Sequence, residues 1–541
     1  GLQGYVHAFK GNNDQANGVN RGNIFVGYDE NENAVATKFV KSPKIGGLAG
    51  WALNHLIDAT NYGNIKINAV AASTDAEIYV SGGVAYAQKV GSAAIGNDFL
   101  NLTNHGNITI EGTTGTKAWN IGGVLGYAYN TSTQQNLENN GDILVHFTNA
   151  GTAHVRVGGV AHGIRRAIDG AVNNGDITVR GKVGSVDSAN KRTGSLYIGG
   201  VVSTPNGYDR TNMTNNGNIL VDATVSVDCF IGGICYDAAN GNGSVYKNCH
   251  NTGNIEVTKN SLVKGNVAIG GMIGKYPTAN ELKIFDACSN SGNISYAGKS
   301  NGSTNIGGLM GYLSYSSVDN VKTPAYLVVR NGFVNTGNIT HTGTTDGADN
   351  ISIGGLLGYC SYGQFSRDTN VWTGDVVNKG KITCAGKSIG GIYRVGGIIG
   401  YSTTNLPETA RIINLGEIEF TGTAGIKDGK PGTAYVGGIL GHSENASITN
   451  AESYCNINAP TADYTGFILG SPRSTTVIAS NCKIGGQLIG EFDEEDQTYK
   501  TTVLSEGDYF NYIYGSGKNT DWGDSTNYDG NTYLATKPTI Q

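Results

Sequence analysis

The sequence predicts an all-β solenoid, a parallel β-helix-like stack of about eleven to thirteen irregular coils. Three observations carry this expectation. Two short motifs alternate down the 541 residues, each joins turn chemistry to a short apolar run, and glycine reaches 83 residues where Pro has 9 and Met 3.

The first motif is N-x-G-x-I, at residues 20–24, 61–65, 104–108, 139–143, 173–177, 215–219, 251–255, 290–294, 335–339, 378–382 and 414–418. These eleven copies are spaced 34 to 45 residues apart, centred near 39, so length changes belong in loops. Asn bonds its own backbone, and Asn and Gly both tolerate left-handed angles, so N-x-G predicts a turn in every repeat. The Ile that follows opens a period-two run, as at Ile65 and Ile67, Ile108 and Ile110, and Ile219 and Val221. That alternation predicts a short strand with one buried face.

The second motif is a Gly pair after a β-branched residue or Ser. It starts at Gly46, Gly82, Gly122, Gly158, Gly199, Gly232, Gly270, Gly307, Gly354, Gly396 and Gly437. Seven copies extend to G-G-x-x-G: IGGLAG, IGGVLG, IGGMIG, IGGLMG, IGGLLG, VGGIIG and VGGILG. A second strand is expected to carry the pair, with a bend or a close backbone approach where the glycines recur. No long window places apolar residues at helical spacing, so helices are expected to be rare. A unit of two or three short strands cannot bury its apolar side alone, whereas a stack of them can. The spacing is compatible with one coil per period or with two.

Charged residues make up 15% of the chain, against about 25% in ordinary domains, and the formal net charge is −6. No Lys/Arg cluster stands out, which argues against nucleic acid or anionic lipid as partners. No stretch approaches the roughly 18 apolar residues of a membrane helix, and no basic, apolar leader opens the chain. Because it starts at Gly1, it is expected to be a trimmed or mature piece of a longer precursor, with any export signal or anchor upstream. The eight cysteines show neither C-x-x-C nor a Cys/His zinc spacing, so no metal or cofactor is expected. Cys249 and Cys288 each precede a repeat Asn by two residues, and Cys455 and Cys482 precede Ile457 and Ile484 by two. A rung spacing of about 4.8 Å exceeds the Cβ separation of a disulfide, so stacked thiols are expected.

After Gly441 the pattern decays, with degenerate copies at 453–457 and 465–470 and a last echo at Gly485 and Gly486. The solenoid is therefore expected over 1–490. Residues 491–541 carry an acidic run (Glu491, Asp493, Glu494, Glu495, Asp496) and an aromatic tail including Tyr509, Tyr514, Trp522 and Tyr533. They are expected to cap the last rung.

The pairing of N-[TS]-G-[ND]-I with IGG[LVI]-x-G, clearest at 251–274 and 290–312, resembles the GLUG-motif repeats of large bacterial surface proteins. The likeness covers residues 20–445, and eleven alternating pairs make it specific for the repeat class. The resemblance implies an exported bacterial adhesin or surface protein with a β-helix-like shaft, at the cell surface or extracellular. The tail is similar to those of surface proteins from gut-dwelling Bacteroidota. No particular ligand is implied.

The position directly after G-G-x-x-G holds Trp51, Tyr127, Tyr312, Tyr359 and Tyr401, with Lys275 and His442 as exceptions. Stacked coils would make these an aromatic ladder on one face, suited to sugar rings, to a protein partner, or to covering the shaft. One basic patch, His154, Arg156, His162, Arg165 and Arg166, suits an acidic sugar or carboxylate, or else is a solvated loop. Asp142 and Asp176 share the slot of Asn107 and Asn218 and read as turn residues. Polysaccharide lyases and hydrolases on β-helices need clustered carboxylates or basic residues, and the strand positions here are mostly Gly, Ile, Val, Thr and Asn. The expected function is a non-catalytic adhesin or ligand-binding shaft whose partner is a glycan or a surface protein. A β-helix polysaccharide enzyme and a lipoprotein subunit of an outer-membrane assembly are the alternatives.

Overall fold

The computed structural model describes residues from 18 to 493 apart from short stretches, the longest being 36–41, 70–76, 89–98 and 473–478, and then 498–503 and 532–533. The chain forms two compact units, Gly1–Asn266 and Val267–Gln541. Each is a parallel β-solenoid, and no helix occurs among the described residues.

One period is one coil. In the first unit a coil runs through an Asn strand ending on the repeat Asn (Gln134–Asn139), an Ile strand (Ile143–Asn149), a Gly strand (Val155–Gly158) and an outer strand (Ala161–Ile164). Each pairs in parallel with its counterpart one period on, Asn139 opposite Asn173, Ile143 opposite Ile177, Gly158 opposite Gly199 and Ala161 opposite Val202. The second unit repeats the order in Tyr326–Asn335, Ile339–His341, Ile351–Gly354 and Leu357–Ser361. The first-unit coil has four strands rather than two or three, because the Gly pair is a corner that splits one expected strand into two, and second-unit coils add a short fifth after the Ile strand, such as Thr344–Thr345.

The Ile strands alternate between buried and outward residues, and the buried ones stack along the axis. Ile65, Ile108, Ile143, Ile177 and Ile219 in the first unit, and Ile294, Ile339, Ile382 and Ile418 in the second, are at most 1% exposed. Each contributes about 2 kcal/mol by leaving water.

The polar half of the core is the Asn side chain. Asn139 donates one amide N–H to the Gly141 carbonyl at 2.8 Å, closing its own turn, and the other to Oδ1 of Asn173 at 2.9 Å. The amide-to-amide bond repeats from Asn20 through Asn61, Asn104, Asn139, Asn173 and Asn215 to Asn251 at 2.7–2.9 Å in the first unit. In the second it runs from Asn290 through Asn335 and Asn378 to Asn414 at 2.8–2.9 Å. It ends where Ser453 stands opposite Asn414.

The glycines of N-x-G do not take left-handed angles as expected from turn chemistry. Their constraint is space, since a Cβ on Gly106 would overlap the Gly63 carbonyl of the preceding coil. Left-handed backbone lies three residues before the repeat Asn instead, at Asp58, Asn101, Asn136, Gly170, Asn212 and Asn248 with φ of 52 to 73°. There it kinks each Asn strand, and the side chains form an outer polar ladder: Asn101 donates to Asp58 at 2.7 Å and Asn136 to Asn101 at 2.9 Å. The second glycine of each pair faces the Asn ladder, so a Cβ on Gly159 would overlap both the Asn173 amide and the Gly200 carbonyl. The two motifs alternate because they are the two sides of one contact. In one copy Ser81, not Gly82, stands opposite Gly46 and Gly122, and Gly82 takes the place against Asn104.

Asp142 and Asp176 occupy the turn slot: Asn107 accepts the Asp142 N–H at 2.8 Å, Asp142 accepts that of Asp176 at 2.9 Å, and Asp176 that of Asn218 at 2.7 Å. All eight cysteines are buried thiols. Cys455 and Cys482 do not stack, because Ile457 opens an Ile strand whereas Ile484 ends an Asn strand. Lys483 lies opposite Glu452, which sets Cys482 level with Ala451. Of the expected cap, the described part is an antiparallel pairing of Gln487–Asp493 with Thr498–Val503, and Thr532–Tyr533 added to Lys483–Ile484. Its other aromatic residues lie outside the described residues.

Replacing Asn139 by Ala removes both donors and orphans a buried amide on each side, which should cost about 3 kcal/mol. The exposed neighbour Asn140→Ala should cost less than about 1 kcal/mol. Hydrogen exchange at the Asn140 and Asn174 amides, which donate to the Asn104 and Asn139 carbonyls, reads the difference locally, and equal protection in both variants would contradict the ladder's role.

Candidate ligand-binding cleft

The outer strands carry the expected aromatic positions. In the first unit Trp51 stands opposite Tyr86, and Tyr86 opposite Tyr127; Gly163 and then Thr204 follow and end the row. In the second unit the row is Lys275, Tyr312, Tyr359, Tyr401, His442 and Ser471. Tyr86 belongs to the ladder although its copy reads G-G-V-A-Y, with Ala85 in place of the third Gly.

The two rows differ in geometry. Tyr312 and Tyr359 stack at 5.2 Å and 7°, and Tyr359 and Tyr401 at 4.9 Å and 25°, so the rings cover one another. Tyr401 is 5% exposed, with the Arg394 guanidinium 4.2 Å above its ring. Tyr401 is therefore part of the covered surface rather than an open platform. In the first unit Trp51 and Tyr86 meet edge to face at 5.8 Å and 80°, and Tyr79 meets Tyr86 at 5.1 Å and 75°.

Beside this row runs a second row on the Gly strands. Two residues before the corner, Lys44, Tyr79, Asn120, Arg156 and Tyr197 form one row, each opposite the next, with Asn120 fully buried among its neighbours and the others half-buried. Between the two rows lies a cleft of about 530 Å³ lined by Ser42, Lys44, Trp51, Glu77, Tyr79, Tyr86, Gln88, Thr116, Lys117, Ala118, His154 and Arg156. Aromatic walls with a few convergent polar groups are the composition of a small-ligand site.

The one carboxylate that lines it among the described residues is fully engaged. Glu77 accepts from Arg156 at 3.1 Å, from the Tyr79 hydroxyl at 2.8 Å and from Asn120 at 3.0 Å. Partial burial works against the charge, but these donors outweigh it and hold the carboxyl below the usual glutamate range. Burial, with Glu77 beside it, keeps the Tyr79 phenol protonated far above its ordinary range. The Lys44 ammonium lies 4.8 Å from the Trp51 ring centre and 5.1 Å from that of Tyr86, and burial lowers its pKa. Burial, followed by the Arg156 charge, lowers the His154 pKa as well.

The basic patch expected from the sequence divides. His154 and Arg156 line the cleft. His162 is 5% exposed, packed at 6.1 Å against Tyr127, with its pKa pushed well down by burial. Arg165 covers the rings of Tyr129 and Tyr127 at 4.6 and 5.9 Å, and Arg166 that of Tyr208 at 5.0 Å. No group of three metal-ligating side chains occurs among the described residues.

One other titratable cluster lies inside the second unit, away from solvent. His341 is 0% exposed, stacks on Tyr296 at 5.5 Å and 8°, and shares a 2.6 Å hydrogen bond with the Tyr393 hydroxyl. Burial pushes the Cys384 thiol up to about 12, and those of Cys229, Cys360 and Cys482 equally. These are core groups held neutral, not nucleophiles.

No family model, curated protein or solved structure matches the chain.

Burial lowers the His341 pKa to about 3. The unfolded chain would take up that proton near its ordinary pKa of 6.5, so the stabilisation is complete above 6.5 and is lost as pH falls toward about 3. The His341 imidazole resonances should therefore stay unshifted between pH 7 and about 4.5. A titration centred near 6.5 would show the ring to be hydrated.

Proposed function

We propose that this chain is a non-catalytic, adhesin-class binding shaft of a bacterial cell surface, and that it holds a glycan in the Trp51 cleft. The observation that carries the reading is the juxtaposition of Trp51, Tyr79 and Tyr86 around a cavity of about 530 Å³ rimmed by polar side chains. Flat apolar rings beside hydrogen-bonding groups match the two faces of a sugar, one of C–H bonds and one of hydroxyls. Surface location rests on the likeness of the repeats to GLUG-motif surface proteins. A fold repeated along one axis suits the display of such a site.

Support for a binding rather than a catalytic role comes from Glu77. Glycoside hydrolysis uses two carboxylates, one of them a proton donor of raised pKa. Among the described residues Glu77 is the one carboxylate lining the cleft, and its neighbours hold it ionised.

Immobilised glycans screened with the purified chain should capture it, and Trp51→Ala with Tyr86→Ala should weaken capture by about 10- to 100-fold, as expected for losing two ring contacts of about 0.7–1.4 kcal/mol each. Tyr312→Ala, on the stacked row, should leave capture unchanged. Sugar binding that survives the Trp51/Tyr86 pair and falls with Tyr312→Ala would move the site to the second unit. Cleavage of a captured glycan would overturn the non-catalytic reading.

A further inference from the structure

We infer that the Trp51 cleft selects an anionic glycan, one whose sugar ring bears a carboxylate or sulfate, and that Lys44 is the specificity-determining residue. This rests on the glycan reading above and names the ligand class for the same site. Among the described residues three cationic side chains, Lys44, Lys117 and Arg156, line the cleft against one carboxylate, Glu77, on a chain whose net charge is −6. The cleft is thus a local reversal of the molecule's charge, the arrangement that raises the local concentration of an oppositely charged ligand.

The charges are not equivalent. Arg156 is committed to Glu77 at 3.1 Å and to Asn120 at 3.2 Å, so this pair cancels itself. Lys44 and Lys117 form no ion pair among the described residues. Lys117 is exposed, and water satisfies it. Lys44 is half-buried with its ammonium against the Trp51 and Tyr86 rings, which offer their faces in place of part of its hydration shell. A partly desolvated ammonium gains most from an anion, because the hydration cost of placing it there is already met in the folded protein. Trp51 and Tyr86 are also the rings on which the sugar would lie. Lys44 lies over both rings, at 4.8 and 5.1 Å from their centres, so an acidic sugar packed against Trp51 and Tyr86 meets the ammonium directly. A neutral sugar would use the rings and leave Lys44 without a partner.

The test compares three probes of matched ring content by calorimetry: an oligogalacturonate, its fully methyl-esterified form, and a sulfated galactan oligomer. The parent should bind the oligogalacturonate or the sulfated oligomer about ten-fold more tightly than the ester, with affinity falling as salt rises. Whichever acid binds identifies the anion. Lys44→Met, which keeps an unbranched side chain over both rings, should remove the preference while retaining ester-level binding. Lys117→Met should reduce only the salt dependence. Equal affinity for acid and ester in the parent, or an unaltered preference in Lys44→Met, overturns the anionic assignment while leaving the glycan site standing. Failure of all three probes together with failure of the neutral glycan screen overturns both.

Discussion

A buried carboxamide governs this molecule. Each Asn side chain has two N–H donors and an acceptor oxygen, and in the core it satisfies them with its own turn and with identical amides above and below, as Asn139 does with Gly141, Asn173 and Asn104. Sliding one coil by a single residue would replace an amide with an outward side chain and strand polar groups in the interior, at about 1–3 kcal/mol for each. Apolar stacking could not set register this sharply, because one Ile packs on another almost as well from a neighbouring position. The glycine pair follows from the same amide. It must come close enough to cover it, and a Cβ on Gly159 or Gly308 would occupy the space of the Asn173 or Asn335 side chain.

Once register is fixed at the paired strands of each coil, what lies between them is free to vary. Intervals of 34 and 45 residues coexist because the extra chain leaves the coil and returns to the same strand position, as between Asn139 and Asn173 and between Asn290 and Asn335. Outward positions then become ladders by translation. Most ladders satisfy themselves: Asn174 donates to Asn140 at 2.7 Å and Asn216 to Asn174 at 2.8 Å, while Tyr62 stacks on His105 at 4.8 Å. Such rows lower the cost of displaying polar and aromatic side chains in the same place on every coil.

The fold was largely legible because its signals are translational. Eleven Asn turns and eleven glycine pairs in strict alternation specify stacked coils, and the period-two runs after Ile24, Ile65 and Ile108 specify buried strands. The left-handed kink at Asp58, Asn101 and Asn136 was not legible, since Asn and Asp are frequent everywhere in this chain and the kink has no companion residue to mark it. The aromatic row was legible wherever the third glycine was present. Tyr86 escaped because Ala85 replaces that glycine, and the pairing of Ser81 with Gly46 shifts its copy by one. Lys44, Tyr79 and Glu77 escaped for a different reason. Lys44 lies one coil before Glu77 and Tyr79, and only its pairing with Tyr79 brings the three to one place.

That last point bears on where function can reside in a solenoid. A row of equal residues is saturated by its own members, as Tyr312, Tyr359 and Tyr401 show by stacking at 4.9 to 5.2 Å. A ligand must compete with the next coil for every face. In the Gly-strand row of the first unit, successive coils instead present Lys44, Tyr79, Asn120, Arg156 and Tyr197, and no two neighbours are alike. The adjoining row loses volume at Gly163, where no ring continues the series begun by Trp51, Tyr86 and Tyr127. Unlike neighbours cannot complete one another by symmetry, so Trp51 and Tyr79 meet Tyr86 edge to face, and among the described residues Lys44 forms no ion pair. Recognition in a fold of this kind therefore concentrates where the repeat fails on the outside while the Asn ladder beneath it continues unbroken.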